Sequence, residues 1–162
     1  MLELKFTPFP ELKTERLLLR KLTTNDAEEL FYLRTNEDVL RYLGREPAKS
    51  ITEVEELINV FNKNIDENVS ILWGISLLNG PTKIIGTICL WNFKPENYRT
   101  EIGYILHPGH WRKGIMKEAI SAVVDYGFND LKLHSIEAQL SMENTASSSV
   151  LEKTGFVKEG HL

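Results

Sequence analysis

A chain of 162 residues with 42% hydrophobic and 26% charged residues has the size and make-up of one globular domain, expected to span 1–162. A domain of that size buries enough surface to stand without disulfide or metal staples. The net charge of −4 gives no field that would attract a nucleic-acid backbone, and the lone Cys89 excludes a disulfide framework and fits a reducing cytoplasm.

Met1-Leu2-Glu3-Leu4-Lys5 does not read as a leader, and no apolar run is long enough to cross a bilayer, so a cytoplasmic protein with no membrane partner is expected. Leu17-Leu18-Leu19-Arg20-Lys21-Leu22 reads as a first strand. Thr24-Asn25-Asp26 then offers a helix cap ahead of Ala27, Leu30, Phe31 and Leu33. Val54, Leu57, Ile58 and Phe61 recur at helical spacing, which predicts a helix over 51–64 with the acidic residues at 53–56 on its solvated face.

Residues 71–78, 83–93 and 101–106 are apolar or β-branched runs that predict strands, the first two joined by a hairpin-type turn at Asn79-Gly80-Pro81-Thr82. From Gly114 the period is helical again, with Ile115, Ala119, Ile120, Val123, Val124 and Phe128 on one stripe. Residues 135–140 alternate like a strand, and 144–153 read as a short helix closed by Gly155 as the residue after its C-cap. Strands grouped early and then alternating with helices predict an α/β (α+β) fold, a mixed sheet with helices on its faces.

The stretch 101–119 is a strand feeding through a Pro-Gly loop into an amphipathic helix. Unpaired N–H groups at that helix start, the positive end of its dipole, Arg112 and Lys113 would form an anion site suited to a diphosphate. Gly109 and Gly114 have the separation of a nucleotide P-loop, but Ile115 and Met116 stand where that motif needs Lys and Ser or Thr. The Rossmann glycine spacing is absent too. An ordinary tight connection with a solvated basic turn explains the same pattern.

Three blocks make the pattern specific. Glu101-Ile-Gly-Tyr-Ile-Leu-His-Pro-Gly-His-Trp-Arg-Lys-Gly-Ile-Met-Lys-Glu-Ala119 resembles the acetyl-CoA-binding core of the GNAT superfamily. Glu143-Asn-Thr-Ala-Ser-Ser-Ser-Val-Leu-Glu-Lys-Thr-Gly-Phe156 is similar to the superfamily's second signature. Thr14-Glu-Arg-Leu-Leu-Leu-Arg20 resembles the opening strand of the branch that holds the ribosomal-protein alanine and serine N-terminal acetyltransferases. The resemblance implies a GNAT fold with helices on both sheet faces and a splayed strand pair at the cofactor site. Its final strand would be missing after Leu162, through truncation or completion by another chain.

The same resemblance implies acetyl-CoA as co-substrate, with pyrophosphate on the main chain of Trp111, Arg112, Lys113, Gly114, Ile115 and Met116. Ile105 and Leu106 would pair with the pantetheine arm, Asn144 would hydrogen-bond it, and an N–H near Ile105 would receive the oxyanion. Met116 stands where the superfamily has Gly or Ala, which raises the question whether its side chain crowds the cofactor. Trp111 replaces a Gln or Arg. Leu151 occupies the place of the tyrosine acid of other branches, while Ser147 aligns with the serine proposed as proton donor, although it also fits the first turn of a helix.

An alkylammonium must lose a proton before it attacks a thioester, so a base is needed. Glu101 is the leading candidate, against the reading of a strand-end glutamate, and Glu137 is the other choice. No nucleophile with an adjacent base is visible, which predicts direct transfer. Cys89 reads as a small buried thiol, His107 and His110 as loop histidines without metal-ligand spacing, and Trp73, Trp91 and Trp111, with Phe93 and Tyr98, as mostly core, the lining of an acceptor pocket being the alternative. The acceptor is a small-molecule amine or a protein N-terminus, and oligomeric state is open, a homodimer included. A non-catalytic acyl-CoA-binding module is the alternative function.

Overall fold

The apolar runs pair into one six-stranded sheet whose spatial order follows the chain: β1 (Leu12–Lys13), β2 (Leu17–Arg20), β3 (Ile71–Leu77), β4 (Gly86–Lys94), β5 (Arg99–Leu106) and β6 (Ser135–Glu137). The computed structural model describes residues 2–41, 43–138, 151, 152 and 154–156. The first five strands are mutually antiparallel, whereas β6 joins β5 in parallel. A parallel step needs a crossover, and α1 (Ala27–Leu33), α2 (Glu37–Leu40) and α3 (Ile51–Asp66) precede the one that makes it, α4 (Ile115–Asn129).

The β5–β6 ladder holds three registered pairs, Arg99↔Ser135, Thr100↔Ile136 and Glu101↔Glu137. Ala138 has left the strand, and the rest of β5, residues 102–106, runs on past the described part of its neighbour. On the other side β4 stays registered with β5 from Gly86↔Leu106 to Trp91↔Glu101, and a bulge follows between Trp91 and Lys94. Bulges of this kind re-aim side chains at a strand end.

Two cores sit on the two faces. Ile115, Ala119, Ile120 and Val123 of α4 pack with Trp73 and Ile88 of the sheet on one face, while Leu30 and Leu33 of α1 and Val54 and Ile58 of α3 close the other with Leu22 and Ile84. Each of these Leu, Ile and Val side chains contributes about 1.5–3 kcal/mol on burial. Trp73 anchors its layer twice: its indole N–H donates to the Pro10 carbonyl at 2.8 Å, and its ring meets Tyr126 of α4 edge-on at 5.5 Å.

Several expectations shift. The apolar stripe of α4 is completed by Tyr126 and Gly127, and Phe128, placed on it from the sequence, is exposed because helical rotation carries it round to solvent. A 3-10 turn, Thr24–Asp26, leads into α1: Thr23 caps that turn in a reciprocal box with Asp26, and Asp26, within the expected Thr24-Asn25-Asp26 cap, takes the N-cap position of α1. The short strand β1 and helix α2 carried no readable pattern. The predicted end at Gly155 holds: its φ is +98°, its N–H donates to Glu152 O and the N–H of Phe156 donates to Leu151 O. That pair of bonds is the Schellman pattern. No helix among the described residues is long and apolar enough to cross a membrane.

Candidate active site

At the end of β5 the chain enters a 3-10 turn, Pro108–His110, capped by His107, whose Nδ1 accepts the Gly109 N–H at 2.9 Å. The indole N–H of Trp111 donates to the Leu106 carbonyl at 2.8 Å, folding the loop back onto the strand end. Arg112 and Gly114 both take left-handed backbone angles, φ +63° and +76°, on either side of Lys113. Alternating conformations of this kind gather successive N–H groups into an anion-binding concavity.

That concavity opens at the start of α4, where Gly114 is the N-cap and supplies no side-chain acceptor, so the first N–H groups of the helix have no cap bond. The side chains of Ile115 and Met116 are turned into the core at 4% and 7% exposure. Both belong to the core cluster that packs α4 on the sheet, so the Met116 side chain is spent on packing. Arg112, Lys113 and Lys117 are exposed around the rim. His110 is held below its ordinary pKa by burial, with the neighbouring charges of His107 and Lys113 adding to the effect, so it adds no cation there at neutral pH.

A cluster from the residues just before and at the start of β2 buttresses the loop. Arg16 Nε donates to Glu118 Oε1 of α4 at 2.9 Å, its main-chain N–H donates to Glu118 Oε2 at 2.9 Å, and its Nη1 donates to the Lys113 carbonyl at 2.9 Å. The Thr14 hydroxyl donates to the same Glu118 carboxylate. Sequence reasoning missed these contacts, although Thr14 and Arg16 belong to the first block; two residues about a hundred positions from Glu118 show no pairing along the chain.

The opposite end of β5 holds the candidate bases. Glu101 is 8% exposed and accepts the side-chain amide of Asn92, which sits in the β4 bulge at φ +49°. Its parallel-ladder partner Glu137 lies beside it but is exposed, and its Oε1 is 3.2 Å from Arg99 Nη1. The structure therefore brings the two candidates together and gives them different partners. Across the antiparallel ladder, Trp91 is 48% exposed, with its indole nitrogen 3.6 Å from where a Cβ on Gly103 would stand. Of the three tryptophans only Trp73 is core; Trp91 and Trp111 are surface residues at the two ends of this strand because their strand and loop positions face away from the packed helices.

Between the two ends, His107 N–H donates to Ile85 O at 2.7 Å. The alternation of an antiparallel ladder then turns the backbone groups of Ile105 toward β4 and those of Leu106 toward the open side. β5 rises roughly 3.3 Å per residue, so Glu101 and the loop beyond Leu106 stand roughly 20 Å apart. Burial pushes the Cys89 thiol up to about 11, against a hydrogen bond from the Gly103 backbone and the charge of Arg45, so it is a neutral thiol at pH 7. Asn144 and Ser147 lie outside the described residues. Among the described residues no cluster of His, Cys, Asp and Glu could hold a metal ion.

A family model described as acetyltransferase (GNAT) domain matches residues 16–157. An uncharacterized N-acetyltransferase of Bacillus subtilis, YoaA, is 42% identical over 154 residues, covering 95% of this chain and 86% of its own. The crystal structure of spermidine N-acetyltransferase from Vibrio cholerae in complex with CoA and spermine superimposes with a TM-score of 0.80 at 31% identity, covering 92% of this chain and 85% of that one. The ribosomal-protein-serine acetyltransferase of Escherichia coli is 30% identical over 80 residues, 49% of this chain and 45% of its own.

Proposed function

From the premise that the chain belongs to the GNAT acetyltransferase family, we propose that it moves the acetyl group of acetyl-CoA onto a primary amine by direct attack, with the diphosphate of the donor on the amides of residues 111–116. The observation that carries this reading is one strand with a cationic, amide-lined cradle at its far end and a buried, hydrogen-bonded carboxylate at its start. The separation of roughly 20 Å along β5 suits an extended pantetheine arm with an amine waiting beyond its thioester.

The residues present fit that substrate. Gly114, with no side chain and no cap bond, leaves the helix-start N–H groups to phosphate oxygens, and Arg112 and Lys113 offset their charge. The outward N–H of Leu106 is available to a pantetheine amide, and a main-chain N–H near Ile105 meets the oxyanion that forms as the amine nitrogen attacks the carbonyl carbon. Asn144 and Ser147 keep the roles that the resemblance implies: a hydrogen bond to the arm, and a proton for the thiolate released when the C–S bond breaks.

Glu101 takes the proton of the acceptor ammonium, through a water where the amine stands further along β5. It is preferred to Glu137 because Arg99 holds the latter as an exposed ion pair. The face of Trp91 beside Glu101 suits an alkylammonium, since a ring quadrupole and a carboxylate both attract a cation. A polyamine or a protein N-terminal Ala or Ser meets that description. The single sheet shared by both cores supports reading 1–162 as one catalytic domain.

Thiol release from acetyl-CoA, measured with spermidine, spermine, free amino acids and N-terminal Ala and Ser peptides, tests the reading. Turnover with at least one amine is expected. Tight coenzyme A binding without turnover on any of them identifies an acyl-CoA-binding module instead.

A further inference from the structure

Gly114 needs more than a left-handed backbone to serve a diphosphate: its N–H must also point outward. In a trans peptide the carbonyl oxygen of one residue and the N–H of the next point in opposite directions. The carbonyl of Lys113 is captured by Arg16 Nη1 at 2.9 Å, and Arg16 Nη2 lies 3.4 Å from the Cβ position of Gly114. Whatever fixes the direction of that carbonyl fixes the Gly114 N–H in the opposite direction.

Arg16 is itself fixed. Its Nε and main-chain N–H grip both oxygens of Glu118, and the Thr14 hydroxyl shares one of them, so the guanidinium has one orientation. Glu118 stands one helical turn beyond Gly114, close enough for an unpaired carboxylate to repel a bound diphosphate. Arg16 therefore acts twice in the same direction, once through the peptide plane and once by neutralising that charge.

We propose that Arg16 is a positioning residue of the diphosphate site, one that orients the Lys113–Gly114 peptide for the donor without touching the reacting atoms. This rests on the acetyl-CoA reading above. A residue that merely stabilised the fold would affect every acetyl donor alike, whereas one that orients the cradle matters only for donors that carry a diphosphate.

The experiment compares acetyl-CoA with the acetyl thioester of N-acetylcysteamine, which lacks the diphosphate, on the wild type, Arg16→Ala and Arg16→Lys. Losing this charge-assisted bond is expected to raise KM for acetyl-CoA about tenfold at unchanged kcat, with KM for the short thioester unmoved. Arg16→Lys keeps a cation but cannot reach the Lys113 carbonyl and Glu118 together, so it is expected to recover only part of the loss. Wild-type KM for acetyl-CoA in Arg16→Ala, or an equal rise for both donors, overturns the proposal. If Arg16→Ala does not fold, wild-type KM values in Arg16→Lys overturn it. A wild type that binds no acetyl-CoA would refute the reading of the site itself, an outcome distinct from these.

Discussion

The side-chain amide of Asn92 donates to the buried carboxylate of Glu101 across the β4–β5 ladder, from a backbone position that the bulge after Trp91 forces into the left-handed region. That bond fixes the direction of a carboxylate whose neighbour Glu137 is paired elsewhere. Glu101→Gln is therefore expected to lower kcat about a hundredfold or more, the usual contribution of a positioned general base, while coenzyme A affinity stays as it was. Glu137→Gln should change kcat by less than about threefold, because an exposed ion pair contributes little. Steady-state rates of both variants with one amine check the assignment; equal losses would move the base away from Glu101.

Gly114 carries the backbone geometry of the cradle. Gly114→Glu puts a side chain at φ +76° and a negative charge at the helix start, and is expected to abolish coenzyme A binding. Thermal shift provides the readout: at a hundred times Kd a ligand stabilises by about 2.7 kcal/mol, and that gain should vanish in the variant. A folded variant with the full shift would contradict the amide cradle.

Asp26 tests the fold, not the chemistry. Its carboxylate, 6% exposed, is bidentate with Arg20 at 2.9 and 2.8 Å and also caps Thr23 N–H. Asp26→Ala leaves a guanidinium that is only 19% exposed with the carbonyls of Lys21 and Thr82 but no counter-charge in contact, and is expected to cost about 3 kcal/mol in chemical denaturation. A loss under about 1 kcal/mol would show the pair to be dispensable.

Acid should weaken the link between β2 and α4. Burial raises the Glu118 pKa, but the Thr14 hydroxyl, the Arg16 backbone N–H and the Arg16 guanidinium together outweigh it and hold the group below its ordinary 4.5. The unfolded chain then binds this proton more readily than the folded one. The stabilisation is complete above pH 4.5 and is lost as pH falls through the folded value. Denaturation series from pH 6 to pH 3 should show a shallower acid limb for Glu118→Gln than for the wild type, and parallel limbs would remove Glu118 from the account.

Much of the fold is legible along the chain because β3, β4 and β5 are largely buried on both faces and read as apolar runs, while α3 and α4 bury one stripe each at helical period. The cradle is legible too, since the loop residues 107–116 are contiguous and their glycines and cations mark them. What stays hidden is whatever depends on partners brought together by the sheet. Arg16 and Glu118, or Asn92 and Glu101, meet only once β2, β4 and β5 are in register, and a slip of one residue would point them to the other face. The same holds for Trp91, expected to be mostly core and found exposed at the end of β4 where burial stops.

The most direct test of the central claim is a crystal structure of the protein with coenzyme A. The account predicts diphosphate density within hydrogen-bond distance of the main-chain nitrogens from Gly114 to Met116, with the sulfur directed along β5 toward Glu101. Coenzyme A bound elsewhere while those nitrogens face solvent would contradict it.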